Sequence, residues 1–323
     1  MYCHRPFSQL YIDEQGDCHL CCPFWIDKPA GNLFQTPLME IWRGSEATSI
    51  RESISDQSFR YCGNCRNRQT IEASPRPYSL DVIDSLTLSY DPSCNLQCPS
   101  CRGSSRLPSA KAIEIHRRVL DSGVLEHSRC LTMLGSGDPF ASKLTRDLMS
   151  QLPQLKHHPQ LELCLQTNGI LFTPERLTEI LSNGLKIRRV LVSIDAATPE
   201  TYSKLRGGQW NVLMTNICNL REHNIPLQLN FVVQEDNYKE IVAFVELSRN
   251  LGALIVYFSA LENWGQFSKE EYEKVAVHLR SHPHNKDLHD LLWSLNWWER
   301  RSPIINISSL SSLFQKETTC NCP

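Results

Sequence analysis

From residue 85 to residue 258 the chain alternates short apolar runs with stretches of helical periodicity. The runs are SLTLSY (85–90), CLTML (130–134), LELCL (161–165), RVLVSI (189–194), LQLNFVV (227–233) and LIVYF (254–258). Each has strand length and lies next to a helical stretch. Helical patterns fall between and after them, at 109–121, 141–151, 174–182, 199–205, 211–223 and 238–251. Thr173-Pro174 opens the third of these as a cap followed by a first-turn proline. Strand and helix alternating six times predict an α/β fold with a parallel sheet and crossover helices, either doubly wound or curled into a partial barrel. Residues 268–323 read as two further helices and a polar end. The tryptophans of WSLNWWER, Trp293, Trp297 and Trp298, pack a helix face in this reading.

Composition adds limits. A chain of 323 residues predicts about two domains. An apolar content of 41% with 21% charged residues suits a folded core. Net charge is −2, which gives no support for a nucleic acid or an anionic membrane surface as partner. The longest apolar run, Ala253–Phe258, is too short to cross a bilayer. The opening MYCHRPFSQLYID has no basic region followed by an apolar stretch, so the expectation is a soluble cytoplasmic protein.

Cysteine changes the picture most. There are 14, and nine fall in the first 101 residues. Without a secretion signal this points to metal or redox chemistry rather than a disulfide framework. Cys130, Cys164 and Cys218 stand singly in apolar or helical contexts and read as small buried apolar residues. Cys320 and Cys322 lie in the polar tail. Cys94, Cys98 and Cys101 form C-x3-C-x2-C directly after the first apolar run. That edge of a parallel sheet is where sites form. Three thiolates on a cubane leave one iron without a protein ligand, open to a small molecule with hard N and O donors.

That motif, placed after the first strand, resembles the radical S-adenosylmethionine (SAM) superfamily. The second run ends in Gly135-Ser136-Gly137-Asp138-Pro139, similar to the family's Gly-Gly-Glu-Pro turn with Ser and Asp substituted. The third ends in LQTNG and the fourth in VSIDAATPETYSKLRGG, which also resemble the family, especially its peptide- and sugar-modifying branch. The resemblance covers about 85–260 and implies a partial (β/α)6 TIM-like barrel. It also implies a [4Fe–4S] cluster on Cys94, Cys98 and Cys101, with SAM completing the open iron. One electron then yields a 5′-deoxyadenosyl radical that abstracts hydrogen. The implied SAM-binding residues are Gly135, Ser136, Gly137, Asp138, Asn168, Ser193, Asp195 and Arg206. In the family pattern the glycine-rich turn meets the methionyl amine, Ser193 and Asp195 lie near the ribose, and Arg206 meets the methionyl carboxylate.

Upstream, Cys3, Gly16 and Cys21 are spaced C-x12-G-x4-C, followed by GNLFQTPLMEIW and by YCGNC with Cys62 and Cys65. This set resembles the SPASM/Twitch auxiliary-cluster domain of radical SAM enzymes, here ahead of the barrel rather than after it. Cys3, Cys21, Cys62 and Cys65 give the Twitch-like count for one auxiliary [4Fe–4S] cluster. Cys18 and Cys22 are alternatives to Cys21, and four thiolates also suit tetrahedral zinc. Gly16 and Gly63 permit tight turns, and Ile41 and Trp42 form a small core.

The expected layout is an auxiliary domain over 1–75, a barrel over 76–262 and a helical extension over 263–323. The segment 262–292 extends past the core over the site, with His278, His282, His284 and His289 on the surface. The resemblance implies hydrogen abstraction from a peptide, protein or sugar-type small-molecule substrate. A fully ligated auxiliary cluster favours oxidation by dehydrogenation or crosslinking. The alternatives are an epimerase with a cysteine hydrogen donor such as Cys18 or Cys22, and a non-catalytic electron carrier. A flavodoxin- or ferredoxin-type reductant is the expected partner. Residues 1–72 leave no space for a leader-binding domain.

Overall fold

The computed structural model describes residues 3–26, 28–62, 65, 78–101, 107–133, 136–155, 160–294 and 305–306. Gly63, Gly135, Trp297, Trp298, Cys320 and Cys322 lie outside them. The chain divides into two compact units. One comprises 1–95, 104–167 and 171–190; the other comprises 96–103, 168–170 and 191–323.

The first unit begins with an antiparallel meander, β1 (Gln9–Asp13), β2 (Asp17–His19) and β3 (Gly31–Asn32). β1 alternates buried Leu10 and Ile12 with half-exposed Gln9, Tyr11 and Asp13. A turn through Gly16, at φ +79°, joins β1 to β2, a left-handed conformation that glycine adopts at little cost. Two helices follow, α1 (Leu38–Arg43) and α2 (Ser45–Ser55). Ile41, Trp42, Ala47, Ile50 and Ile54 are buried on them, so the expected Ile41/Trp42 core is present and larger than expected. Arg51 is buried too. Its Nε donates to the Pro6 carbonyl at 2.9 Å, its Nη1 donates to the Trp42 carbonyl at 2.8 Å, and its guanidinium lies 4.1 Å from the Trp42 ring centroid.

The predicted alternation then sets in, with β4 (Ser85–Ser89), α3 (Ala110–Asp121), β5 (Cys130–Met133), α4 (Lys143–Gln151), β6 (Glu162–Thr167), α5 (Pro174–Ser182) and β7 (Lys186–Ser193). Ser109, Ser142 and Thr173 cap α3, α4 and α5, each accepting from a backbone N–H in the first turn. β4, β5 and β6 are parallel neighbours, with Ser85 opposite Cys130 and Cys130 opposite Glu162. β1 also pairs with β4 in parallel, from Gln9 opposite Ser85 to Asp13 opposite Ser89. The cysteine-rich segment therefore contributes strands to the sheet that carries the Cys94 loop.

The boundary between the units falls inside β7, after Val190. The second unit continues with α6 (Pro199–Arg206), α7 (Trp210–Glu222), β8 (Leu227–Val233), α8 (Ile241–Asn250), β9 (Ile255–Ala260), α9 (Lys269–Val275), α10 (Asn285–Ser294) and a short β10 (Ile305–Asn306). β8, β9 and β10 are parallel, with Gln228 opposite Ile255 and Ile305 opposite Val256. Phe231, Phe244 and Phe258 form an aromatic core with centroids 4.7–6.0 Å apart.

Three expectations need correction. Cys218 is exposed on α7, because its position falls on that helix's outer face. Cys130 and Cys164 are not isolated. They sit on adjacent strands with sulfurs 3.5 Å apart. His282 is buried because its Nδ1 accepts from the His284 N–H at 3.1 Å and its Nε2 donates to the Lys274 carbonyl at 3.0 Å. Among the described residues no helix is long and apolar enough to cross a membrane.

Candidate active site

The loop after β4 carries Cys94, and Asp91 shapes it. Asp91 Oδ1 accepts from the Ser93 backbone N–H at 3.0 Å and from its hydroxyl at 2.7 Å, while Oδ2 accepts from Ser142 Oγ at 2.5 Å. The turn after β5 lies against this loop. The Asp138 N–H donates to the Ser93 carbonyl at 2.8 Å. A Cβ built on Gly137 would stand 2.2 Å from Ser93 O and 2.7 Å from Asp91 O. Backbone approach thus requires glycine here, and what approaches is the cysteine loop itself. Gly137→Ala is expected to displace that loop at a cost of about 1–3 kcal/mol, the usual range for overpacking. Its SAM affinity should fall at least about tenfold by calorimetry.

Asp138 is 2% exposed, and both carboxylate oxygens are engaged within the protein. Oδ1 accepts from the Phe140 N–H at 2.9 Å, and Oδ2 accepts from Thr167 Oγ1 at 2.7 Å. Its geometry is that of a residue that fixes the turn. Ser136 is buried beside it and donates to the Ser89 carbonyl at 3.4 Å.

In the second unit, Cys98 and Cys101 close a turn, with the Cys101 N–H donating to the Cys98 carbonyl at 3.0 Å. Cys98 Sγ lies 3.8 Å from the Arg206 carbonyl. Burial pushes the Cys98 thiol up, and Arg206 works in the opposite direction. Gln266 Nε2 donates to the Ser100 carbonyl at 3.2 Å, so the loop after β9 touches the cysteine loop at this residue.

Asp195 has φ +60° and is 2% exposed. Its Oδ1 accepts from the Val232 N–H at 2.7 Å, and its Oδ2 pairs with Arg206 Nε at 2.8 Å and Nη2 at 2.5 Å. The expected ribose and carboxylate residues are thus joined to each other, a charge-assisted forked contact. Ser193 is buried at the end of β7. Asn168 caps its own turn, Oδ1 accepting from the Ile170 N–H at 3.0 Å.

Three positioning residues escaped sequence reasoning. Asn216 Nδ2 donates to the carbonyls of Gly169 and Ile170 at 2.8 and 3.0 Å, pinning the Asn168 turn. Asn237 Nδ2 donates to the carbonyls of Asp195 and Val232 at 2.9 and 2.8 Å. Glu240 accepts from the Ala197 N–H, Thr198 Oγ1 and Thr201 Oγ1 at 2.5–2.8 Å. Each lies a strand or helix away from the motif it holds. The only local signal is a polar residue in a helical or turn segment.

The N-terminal thiols divide into two sets. Cys3, Cys21, Cys22 and Cys65 feel one another electrostatically, and Arg5 favours the thiolates of the first three. Burial raises all three, Cys21 to about 12, and Arg5 opposes it. Soft sulfur donors suit an iron–sulfur cluster, and ligation would release the protons that burial holds on these thiols. Cys62 is buried at the end of the same segment. Cys18 is apart. It is fully buried on β2, with burial first and then Asp13 and Asp17 pushing its thiol up. Cys22, by contrast, shares the Cys21 neighbourhood.

Comparison with known proteins agrees with the motifs. Residues 3–66 match a model of the SPASM iron–sulfur cluster-binding domain, and residues 89–248 match that of the radical SAM superfamily. The AdoMet-dependent heme synthase of Methanosarcina barkeri is 31% identical over 192 residues, 56% of this chain and 53% of that protein. A probable GTP 3′,8-cyclase of Methanococcus aeolicus is 27% identical over 178 residues, 54% of this chain and 58% of that protein. The chain thus spans about half the length of these curated relatives. Streptococcus suis SuiB bound to S-adenosylmethionine shares the fold, with a TM-score of 0.50 at 14% identity over 86% of this chain and 66% of that one. The strand-end motifs, the preceding cysteine module and both family matches lead to one assignment: the chain belongs to the radical SAM superfamily, whose cofactors are SAM and a [4Fe–4S] cluster, with a SPASM-type iron–sulfur cluster-binding domain ahead of its radical SAM domain.

Proposed function

We propose that this enzyme oxidises a peptide or protein side chain, or a sugar-type substrate, by hydrogen abstraction. When bound, SAM and the reduced cluster supply a 5′-deoxyadenosyl radical that takes the hydrogen atom, and an auxiliary cluster supplies an acceptor for one electron. Cys94, Cys98 and Cys101 hold the first cluster. Cys3, Cys62 and Cys65 hold the second, with Cys21 as fourth ligand. Gly135, Ser136, Gly137, Asp138, Asn168, Ser193, Asp195 and Arg206 are the SAM-binding residues. In the first unit Asp91 and Asp138 hold the backbone of the first two strand ends, and in the second Asn216, Asn237 and Glu240 hold that of the next two. Gln266 helps keep the cysteine loop covered from water.

The observation that carries an oxidation is the group of Cys3, Cys21 and Cys22 near Arg5, with Cys65 beside Cys3 and Cys22. It lies on a segment whose β1 pairs with β4, the strand that leads into the cysteine loop. A reductant of flavodoxin or ferredoxin type supplies the first electron. SuiB, which has this fold, has also been solved bound to its precursor peptide SuiA, and peptides are the first substrates to screen.

The test is a Cys65→Ala variant, reconstituted without oxygen and given SAM, dithionite and a peptide library. The parent is expected to yield 5′-deoxyadenosine and a product lighter by two hydrogens. The variant is expected to keep forming 5′-deoxyadenosine while losing the oxidised product. Oxidised product at the parental level from Cys65→Ala removes the electron-acceptor role. A parental product of unchanged mass and inverted stereochemistry identifies an epimerase.

A further inference from the structure

We propose that the β1–β2 turn binds one divalent first-row transition-metal ion through Asp13, Asp17 and His19. This site is separate from both cysteine sets.

His19 carries the argument. Its side chain is 5% exposed, yet among the described residues neither ring nitrogen has a hydrogen-bond partner within normal range, and Nε2 faces only the Asp13 carboxylate. A buried imidazole without partners is costly, and native structures satisfy such groups with protein, water or metal. Nε2 lies 3.5 Å from Asp13 Oδ2. That is beyond the usual hydrogen-bond range of roughly 2.7–3.2 Å. It is close to the edge of a tetrahedron built on bonds of about 2.0–2.1 Å, which is roughly 3.4 Å. The spacing is that of two ligands sharing an ion. Ligand atoms of Asp13, Asp17 and His19 all lie within 4.8 Å of one another.

The carboxylates are already oriented. Asp13 Oδ1 is taken by the turn, accepting from the Gln15 and Asp17 N–H groups at 2.8 and 2.9 Å, which leaves Oδ2 toward His19. Asp17 Oδ1 accepts from Asn32 Nδ2 at 2.8 Å, and Asn32 Nδ2 also donates to the Gln15 carbonyl at 3.1 Å. Such outer hydrogen bonds hold ligating groups in place. Two carboxylates and one imidazole make a hard, oxygen-rich set, with open positions for water. It suits Zn²⁺, Mn²⁺ or Fe²⁺ and not a thiophilic centre. A second histidine group, Glu235, His282 and His284, lacks this vacancy, because both ring nitrogens of His282 are engaged in hydrogen bonds.

The consequence is mechanical. The ion would fasten the hairpin just before Cys21, fixing the approach of that thiol. The test uses the full chain with its clusters reconstituted, dialysed against Mn²⁺ and in parallel against Zn²⁺. The metal bound beyond iron is counted. One ion per chain is expected, and Mn²⁺ should show histidine-nitrogen coupling by pulsed paramagnetic resonance. Asp17→Asn and His19→Gln are each expected to weaken binding at least tenfold while the iron count stays parental. Uptake of neither ion by the parent overturns the proposal and leaves His19 and Asp13 as a plain ion pair. So does bound Mn²⁺ without nitrogen coupling. That readout is made on the parent, so it decides the matter even if the variants lose their clusters.

Discussion

With Cys94, Cys98 and Cys101 all changed to alanine, anaerobically reconstituted protein is expected to hold about four irons where the parent holds about eight. Formation of 5′-deoxyadenosine with dithionite and SAM should drop to background. The size of the effect follows from the chemistry. The three thiolates are the whole protein ligation of that cluster, and a cluster cannot be held by the loop backbone alone. The fold should survive, because the loop is shaped by Asp91 and Ser93 rather than by the thiols. If the parent holds only about four irons and the variant none, the N-terminal thiols hold no iron cluster. Zinc in their place selects the tetrahedral alternative. Full iron with intact SAM in the parent favours an electron carrier.

The parts of this architecture that were legible are those with period and length. All six predicted strands appear as β4 to β9 with their ends within three residues, because buried parallel strands are continuous apolar runs. The N-terminal segment was less legible. β1 does alternate, but over five residues, and its partner β4 is more than 70 residues away, so nothing local shows that QLYID extends the parallel sheet. α2 buries Ala47, Ile50 and Ile54 with polar residues between, a weak stripe in a serine-rich stretch. Of the candidate site, the cysteines and strand-end motifs are readable because their chemistry is tied to spacing. The hydrogen-bond economy is not. Asp138 and Asp195 look in sequence like groups for a ligand, and both spend their oxygens inside the protein. Gly137 looks like an opening for SAM, and its contact is the Cys94 loop. Such facts depend on which backbone atoms the tertiary fold brings within reach.

Arg206→Met is expected to destabilise the protein by about 3–5 kcal/mol, measured as a lower urea midpoint, because it strands Asp195 as a buried unpaired carboxylate. Asp195 is 2% exposed and the Arg206 side chain 14%. Burial works against the Arg206 charge, but Asp195 and Cys98 outweigh it and hold the guanidinium above its ordinary pKa. The partner of choice for separating stability from function is Asp195→Asn. Asparagine tolerates φ +60° and its oxygen can still accept from the Val232 N–H, whereas alanine would add the cost of a left-handed backbone. The double variant Asp195→Asn/Arg206→Met should therefore recover most of the urea midpoint, since no charge is left unpaired. SAM affinity then discriminates two roles for Arg206. If the guanidinium meets the methionyl carboxylate, the stable double variant still binds SAM at least tenfold more weakly than Asp195→Asn alone. If Arg206 serves only to neutralise Asp195, affinity returns with stability, and the carboxylate contact must be sought elsewhere in the second unit.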